Sequence, residues 1–592
     1  MCISDDAVFA AEISSLYSKR NYYFPVLEGP RMARQDYRNE VVRRNNTMAR
    51  IQPDKVIIAA LENKATNALK KYIPSRRFIE LKSNVEIDSK LERKQKSDKV
   101  LHWGHERLSI GLLKAKQTHR RLQVDLKESP RDTYISGEGD HLVVFEERIG
   151  IESVIVANYA FSIGSALQVI PPVPEEEVNE IIESCYSVYA EDTDVPITEK
   201  IENLRYKMRQ MIPKLNIENA KCITFITSGM PWGFAFPEIP STHINSYPDM
   251  GIFLVNAMAA EQKESPGIRV AVIVDPGKDK TIEFDSIVNY LKGSFIRVLS
   301  SQGATVHNVS FHLEAFPCDF VAISTHAAEI SGRRLTYQFI DKEGISRELV
   351  IDQAVGFGIK PGTELVRVQE FIGFVSLDGI GWNDPEKKKK LYVGTAILDF
   401  MEMLKNNKNE LKLVNAVDVP RVHKAMALKM YDDNFIPIFH SMGDHNSPII
   451  FNNACSSWKE MSGRFIFGGA RAYVGTMFDV TGIEAKELAY NLFTKHGSRF
   501  LVFALWRAQN DTYDTKRHPY VMIGPHFTRI RPEKKVDIID FLISRLKAAI
   551  TSYRSHVNKS EEEDIKRNSN EIAEFLESEL NKLVNKFGSN SV

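Results

Sequence analysis

The chain has 592 residues, which at about 150 residues per domain predicts two to four folded units, with one large α/β domain flanked by helices as the alternative. Hydrophobic residues make up 43% and charged residues 26%, a balance that excludes a disordered or fibrous protein. With 77 basic and 77 acidic side chains the net charge is zero, so attraction to nucleic acid or membrane by overall charge is excluded. Five widely separated cysteines without a Cys-x-x-Cys pair argue against a disulfide framework or a zinc ribbon. Acidic residues near the start and the lack of long apolar runs predict a cytoplasmic protein without membrane contact.

The first segment, residues 1–138, is charged and is predicted to be helical. Apolar residues recur at helical spacing through residues 51–73, which predicts one helix there. Residues 1–140 hold 27 basic and 19 acidic side chains, which we interpret as a solvated helical face with a weaker alternative of phosphate contact. Turn-forming residues at 128–140 mark the first boundary.

The second segment, residues 139–265, is predicted to be rich in strands at first and helical afterwards. β-Branched runs broken by short polar turns indicate strands through residues 141–170. Helical spacing then predicts helices at 174–189 and 197–212, the first of which opens with three glutamates that favour a helix N-terminus.

The third segment, residues 266–530, has the alternating pattern of an α/β fold. Helices are predicted at 284–304 and 482–497. Because strands and helices alternate, we predict a mostly parallel sheet flanked by helices, followed by a helical extension over residues 531–592. The predicted strands are 268–275, 305–311, 319–327, 447–455 and 470–480.

Two reactive side chains stand at the ends of predicted strands. His326 follows one strand and Cys455 follows another, and reactive residues of parallel sheets gather at the carboxyl ends of the strands. A thiol needs a nearby base to become a nucleophile, and imidazole titrates near neutral pH. The pair therefore indicates a thiol nucleophile with a histidine base, whereas each residue alone is more typical of a packed core or a capped turn.

Five consecutive blocks of this chain resemble the CHAT domain, a family of caspase-like cysteine peptidases related to separase. The blocks are DFVAISTHA, PIIFNNACSSW, GGARAYVGTMFDV, the helix at 482–497 and SRFLVFALWRAQN, and the upstream segment KCITFITSGMPWGFAFPEI is also similar. The resemblance covers about residues 141–525. It implies a caspase–hemoglobinase fold in which residues 139–265 are the N-terminal half of the CHAT domain and residues 266–530 the peptidase core.

The resemblance also implies the chemistry. It places the catalytic base on His326 and the nucleophile on Cys455, with the backbone N–H groups of Ala327 and Cys455 facing an oxyanion. Asp479 and Asp444 are candidates for a substrate pocket that selects a basic side chain. Relatives usually carry glycine after the histidine, where this chain has Ala327, and many carry tryptophan where this chain has Phe478.

The implied function is cleavage of a protein partner by a regulated cysteine endopeptidase in a bacterial defence or cell-death system. Control by the N-terminal region or by an activating protein or sensor is expected, and no cofactor or metal is implied. The alternative is a catalytically inactive interaction module, which Ala327 favours. Nucleic acid would take part only indirectly, through the basic N-terminal segment.

Overall fold

The protein is an α/β protein built around one large sheet, as seen in a computed structural model. The sheet has 11 strands and is flanked by helices, and it is accompanied by a four-stranded parallel sheet, an antiparallel half-barrel and two C-terminal helices. The predicted α/β class with a mostly parallel sheet is thereby confirmed. The structure describes residues 1–32, 37–91, 99–189, 195–246, 248–261, 267–277, 283–360, 362–364, 366–382, 384, 393–406, 410–439, 441–443, 446–513, 517–532, 538–560 and 563–587.

The strands are numbered in chain order. They are β1 (Cys2–Ser4), β2 (Val26–Glu28), β3 (Val56–Ala59), β4 (Phe78–Leu81), β5 (Val100–Trp103), β6 (Arg121–Val124), β7 (Tyr134–Ile135), β8 (His141–Glu146), β9 (Ala166–Ile170), β10 (Cys222–Thr227), β11 (Ser241–Asn245), β12 (Val270–Asp275), β13 (Phe295–Ser300), β14 (Phe320–Ile323), β15 (Ala327–Glu329), β16 (Gly332–Ile340), β17 (Ser346–Ile359), β18 (Val366–Leu377), β19 (Ile380–Gly381), β20 (Lys412–Val419), β21 (Met426–Lys429), β22 (Asn434–Phe435), β23 (Ile449–Asn452), β24 (Ala472–Thr476) and β25 (Tyr520–Ile523).

The α-helices surround these strands. They are Ala7–Ser15, Tyr37–Ile51, Asn63–Lys70, Ile87–Lys90, Leu108–Gln117, Ile151–Ile163, Glu175–Tyr186, Ile197–Gln210, Trp232–Ala235, Met250–Ala260, Glu283–Tyr290, Val306–Glu314, Val393–Lys405, Lys459–Phe467, Gly482–Tyr490, Leu501–Thr512, Ile538–Lys559 and Glu563–Phe587, and a π-helical segment, Asn491–His496, follows Gly482–Tyr490.

The central sheet has the strand order β13-β12-β14-β23-β24-β25-β11-β10-β8-β9-β7. Its pairings are parallel except β24 with β25 and β7 with β9. β12, β14 and β23 are buried along their whole length, as expected for strands covered by helices on both faces. Because β11 pairs with β25, strands from the second and third predicted segments share one continuous sheet.

The prediction of a purely helical first segment is wrong. β1 to β4 form a four-stranded parallel sheet, and β3 lies inside the range predicted as one helix, 51–73. Positive φ angles at Gln52 and Ala60 end the preceding helix and separate the β-branched residues Val56–Ile58 from the helix Asn63–Lys70. Local backbone breaks therefore override the apolar spacing on which the prediction relied.

Two predictions near the centre of the chain are also wrong. Residues 305–311, predicted as a strand, begin the helix Val306–Glu314, because the Thr305 hydroxyl accepts a hydrogen bond from Asn308 N (3.2 Å) as an N-cap. The helix predicted at 284–304 ends at Tyr290, and β13 follows. Gly293 has a φ of +107° between them, a turn that an uninterrupted helix cannot contain.

Residues 141–170 were predicted to hold only strands, and this is wrong in the middle of the range. A helix, Ile151–Ile163, connects β8 to β9. Residues 153–160 of this helix are all buried. The helix therefore has no exposed polar face here, and its sequence shows no helical periodicity. The helices predicted near 174–189, 197–212 and 482–497 and the C-terminal helices are confirmed.

The long connection between β14 and β23 forms the half-barrel. β16 to β20 make an antiparallel five-stranded sheet that wraps around the helix Val393–Lys405. Phe400 and Ala396 of that helix are fully buried against this sheet. The insertion therefore has its own small core and leaves β14 and β23 as direct neighbours in the central sheet.

No helix in the described ranges is both long enough and apolar enough to cross a lipid bilayer.

Candidate active site

Cys455 lies in a turn three residues beyond the end of β23, and hydrogen bonds hold that turn in place. The buried Asn452 donates from Nδ2 to the Tyr473 hydroxyl (2.9 Å), and that hydroxyl donates to the main-chain oxygen of Ser457 (2.6 Å). The Ser457 hydroxyl accepts from Thr476 N (3.2 Å). Since both ends of the turn are tied to β24, the position of Cys455 between them is well defined.

The Cys455 thiol is half-buried, whereas the other four cysteines are buried. Ser456, the next residue, has a φ of +49°, a left-handed conformation that is uncommon for residues other than glycine. Residues in such strained conformations cluster at functional sites, and they persist only where the surrounding structure holds them in place. The thiol donates to the main-chain oxygen of Val480 at 3.5 Å.

Asp479 lies beside the thiol. Burial raises the pKa of the Cys455 thiol, and the negative charge and hydrogen bond of the Asp479 carboxylate raise it further. The same carboxylate accepts a hydrogen bond from the Ser456 hydroxyl (3.3 Å). The surroundings of Cys455 therefore favour the neutral thiol.

His326 follows β14 in an exposed position. Its main-chain oxygen accepts a hydrogen bond from Lys429 N (2.9 Å), and the hydroxyl of the preceding Thr325 donates to Lys429 O. These bonds fasten the backbone of His326 to β21. Within the described part of the chain, the imidazole itself has no hydrogen-bond partner and is open to solvent.

The register of the sheet brings the two residues of the predicted pair to one edge. β14 and β23 are parallel neighbours in which Ile323 is opposite Asn452, and Asn453 N donates to Ile323 O (2.8 Å). His326 and Cys455 each lie three residues beyond this matched pair. Because neighbouring strands are about 4.8 Å apart and run in the same direction, both chains leave the sheet side by side at its carboxyl edge.

Ala327 begins β15, which pairs in antiparallel fashion with β21. Hydrogen bonds from Lys429 N to His326 O and from Ile330 N to Ala425 O define the hydrogen-bonded pairs of this ladder. Such pairs alternate, so Ala327, opposite Leu428, is a non-hydrogen-bonded position whose N–H faces away from β21. The sheet thus leaves unused the N–H group that the family resemblance assigns to an oxyanion.

Of the two carboxylates predicted to line a substrate pocket, the structure describes only Asp479. Asp479 is next to Cys455, as described above, and its main-chain oxygen accepts from Arg517 Nη2 (2.7 Å). Asp444 lies outside the described residues.

Sequence reasoning missed the side chains that support this edge. Arg517 forms an ion pair with Glu484, and its guanidinium lies over the rings of Tyr189 and Phe478, 5.0 Å and 5.4 Å from their centroids. Through the hydrogen bond from Arg517 to the main-chain oxygen of Asp479, this cluster holds the backbone of Asp479 in place. The residues come from three separate parts of the sequence, around 189, 478–484 and 517, so no local motif could have revealed the cluster.

The described residues contain no group of three or more His, Cys, Asp or Glu side chains arranged to hold a metal ion. His102, which stands in a His-x-x-His spacing with His105, instead has its Nδ1 atom 2.9 Å from an Asp125 carboxylate oxygen. This contact fits a surface ion pair.

Comparison with known proteins adds no assignment: no protein-family model matches the sequence, and no curated protein matches it. The resemblance to CHAT peptidases accordingly stays a prediction, based on the residues quoted in the first subsection.

Proposed function

We propose that this protein is a cysteine endopeptidase with a caspase-like, CHAT-type core that cleaves a protein partner through Cys455 and His326. The observation that carries the proposal is the register of β14 and β23, because both residues follow a matched pair of neighbouring strands by the same number of residues. A half-buried thiol and an exposed imidazole that follow neighbouring strands at one sheet edge have the chemistry for nucleophilic catalysis.

The proposed reaction passes through a thioester. His326 accepts the proton of the Cys455 thiol, and the sulfur forms a bond to the carbonyl carbon of the scissile peptide. The N–H groups of Cys455 and Ala327 donate to the resulting oxyanion. The imidazolium then gives its proton to the leaving nitrogen as the C–N bond breaks, and water hydrolyses the thioester with His326 as the base.

The surroundings of the thiol suggest how activity is kept low without substrate. The pKa of Cys455 is raised by burial and by Asp479, so the nucleophile is mostly protonated at neutral pH. A basic substrate side chain bound by Asp479 would offset that negative charge and favour the thiolate. We therefore propose a protein substrate with a basic residue before the cleaved bond, in a system where activity is switched on by a partner or sensor.

The test compares cleavage of a proteome-derived peptide library by four variants, with new N-termini identified by mass spectrometry. Cys455→Ala and His326→Ala should each lower cleavage at least about 100-fold, since each removes an essential proton-transfer or nucleophilic group. The controls are Ser456→Ala, next to the nucleophile, and His423→Ala, an exposed histidine that contacts Glu329 instead. Unchanged cleavage by Cys455→Ala would disprove the proposal.

A non-catalytic interaction module is the second candidate, favoured by the raised pKa of Cys455. Alkylation by iodoacetamide distinguishes the two, because the other four cysteines are buried and the rate reports on Cys455. In a peptidase, His326→Ala should slow alkylation at pH 7. In an inactive module that variant should change nothing, and Cys455 should react no faster than free cysteine.

A further inference from the structure

A cavity of about 340 Å³ lies where the central sheet, the half-barrel and one helix meet. Ser228, just after β10, and Asn245, at the end of β11, form one wall, and Phe371 of β18 forms another. The remaining walls are Lys424, two residues before β21, and the first residues of the helix Lys459–Phe467. Neither residue of the predicted Cys–His pair lines this cavity, so it is a separate candidate site.

Lys424 brings an unpaired positive charge to the cavity. Its half-exposed side chain forms no hydrogen bond and no ion pair in the part of the chain that the structure describes. Its main chain is fixed, since Lys424 N donates to a Glu329 carboxylate oxygen (2.5 Å) and Lys424 O accepts from Arg464 Nη2 (2.7 Å). The Glu329 carboxylate forms its own ion pairs with Arg421 and His423. The ammonium group of Lys424 is therefore accessible and has no counter-ion among the described residues.

Two further cations at the cavity have neutral hydrogen-bond partners. Lys459 donates from Nζ to the side-chain oxygen of Asn179 (2.8 Å). Arg148 is exposed and donates from Nη2 to the hydroxyl of Ser228 (3.3 Å), which places its guanidinium at the rim of the cavity. Neither cation forms an ion pair within the described ranges. An anion in the cavity would supply the charged acceptor that both lack.

The carboxylates around Lys459 compensate its charge only in part. Glu460, Glu175 and Glu183 each raise the pKa of Lys459, yet none forms an ion pair with it, and burial lowers this pKa by more than they raise it. Among the described residues that line the cavity, Glu460 is the one acidic side chain. Arg464, also at the cavity, is already satisfied by main-chain oxygens and is not part of the unmatched charge.

The helix Lys459–Phe467 begins at the wall of this cavity and adds to its positive charge. Trp458, the N-cap residue, has no side-chain oxygen, and the N–H groups of residues 459–461 have no acceptor within the described part of the chain. The N-terminal end of a helix carries a partial positive charge, and its free N–H groups bind anions. The lysines and the helix end thus favour the same kind of ligand.

We propose that this cavity binds a phosphate group, either free or as a small phosphate ester. Two lysines, an arginine at the rim and a helix N-terminus face a single carboxylate, a balance that suits a doubly charged anion. The volume lies in the range of ordinary small-molecule sites, and the ring of Phe371 can cover the organic part of an ester. The bound group would join Lys424, close to the strand that fastens His326, to the helix that follows Cys455.

The binding test is isothermal titration calorimetry of the full chain at constant ionic strength. Inorganic phosphate and glycerol 3-phosphate serve as probes, and at least one of them should bind with a Kd of about 1 mM or lower, whereas glycerol should not bind. Tighter binding of glycerol 3-phosphate identifies an ester as the ligand, and equal or weaker binding identifies free phosphate. Lack of binding by both phosphate compounds would overturn the proposal.

Two matched pairs of variants locate the site. Lys424→Gln should weaken phosphate binding at least about 10-fold, whereas Lys412→Gln, an exposed lysine of the half-barrel, should leave it unchanged. Gly463 lines the cavity and has open space where a side chain would begin, so Gly463→Glu places a carboxylate there and Gly463→Gln has the same size without the charge. Binding should be lost in Gly463→Glu and kept in Gly463→Gln.

Full binding by Gly463→Glu, or equal binding by the two lysine variants, would overturn the assignment to this cavity. The thermal unfolding midpoint of each variant shows whether it is folded. Because no cleavage is measured, the result is independent of the peptidase proposal.

Discussion

Replacement of Glu579 by glutamine tests how the C-terminal helix is held on the central sheet. Glu579 belongs to the helix Glu563–Phe587, and its side chain is only 2% exposed. It forms an ion pair with Arg297 on the edge strand β13, lies 3.8 Å from His312 Nε2, and accepts from Lys582 Nζ (2.7 Å). In the variant, Arg297, His312 and Lys582 would surround a neutral amide in place of the carboxylate.

The expected magnitude follows from the pKa of Glu579. Burial by itself raises this pKa, but the neighbouring His312, Lys582 and Arg297 lower it from 4.5 to about 2. A change of this size corresponds to about 3 kcal/mol of stability. Because the pKa is lowered in the folded state, this contribution is present above pH 4.5 and is lost as the pH falls toward 2.

We expect Glu579→Gln to lower the free energy of unfolding by about 3 kcal/mol at pH 7, measured by urea titration with circular dichroism. The difference from the wild type should shrink at about pH 3.5, where the carboxylate of the unfolded chain is largely protonated while that of the folded protein is still ionised. Glu577→Gln is the control, since Glu577 is on the same helix but 41% exposed in its pair with Arg554, and should cost less than about 1 kcal/mol. Equal losses in the two variants would refute the reasoning.

Three further predictions concern single buried or half-buried groups. Asp479→Asn should lower the pKa of the Cys455 thiol by removing a nearby negative charge, so alkylation at pH 7 should become faster; an unchanged pH profile would contradict this. Asn452→Ala removes the buried bond to Tyr473 and should lower the free energy of unfolding by about 1–3 kcal/mol, measured in urea. Burial lowers the pKa of Lys116 to about 7 from 10.5, so the unfolded chain binds more protons between these values. Wild type should therefore gain stability relative to Lys116→Met from pH 7 to pH 10, and a constant difference in thermal midpoint would count against it.

The fold could be predicted where apolar runs are long and bounded by clear turns. The strands around 270–275 and 449–452 follow from their continuous apolar sequence, and the C-terminal helices follow from their apolar stripe. Prediction failed where one or two residues that cap or interrupt an element lie inside a longer run whose apolar spacing indicates a different element. Thr305 caps a helix over a run of residues that reads as a strand, and two residues with positive φ isolate β3 within a helix-like run.

For the candidate site, sequence alone predicted His326 and Cys455 as a reactive pair. It also predicted their positions after buried strands, because burial patterns and turn residues are local properties. Only the tertiary structure decided that these strands are neighbours in register, although more than 100 residues of half-barrel and connecting chain separate them. It also decided that Asp479 lies beside the thiol, and that the helices Tyr37–Ile51 and Ile538–Lys559, which are far apart in sequence, line one cavity. Such contacts depend on which surfaces pack together across the whole chain, and packing is a property that no local pattern of residues contains.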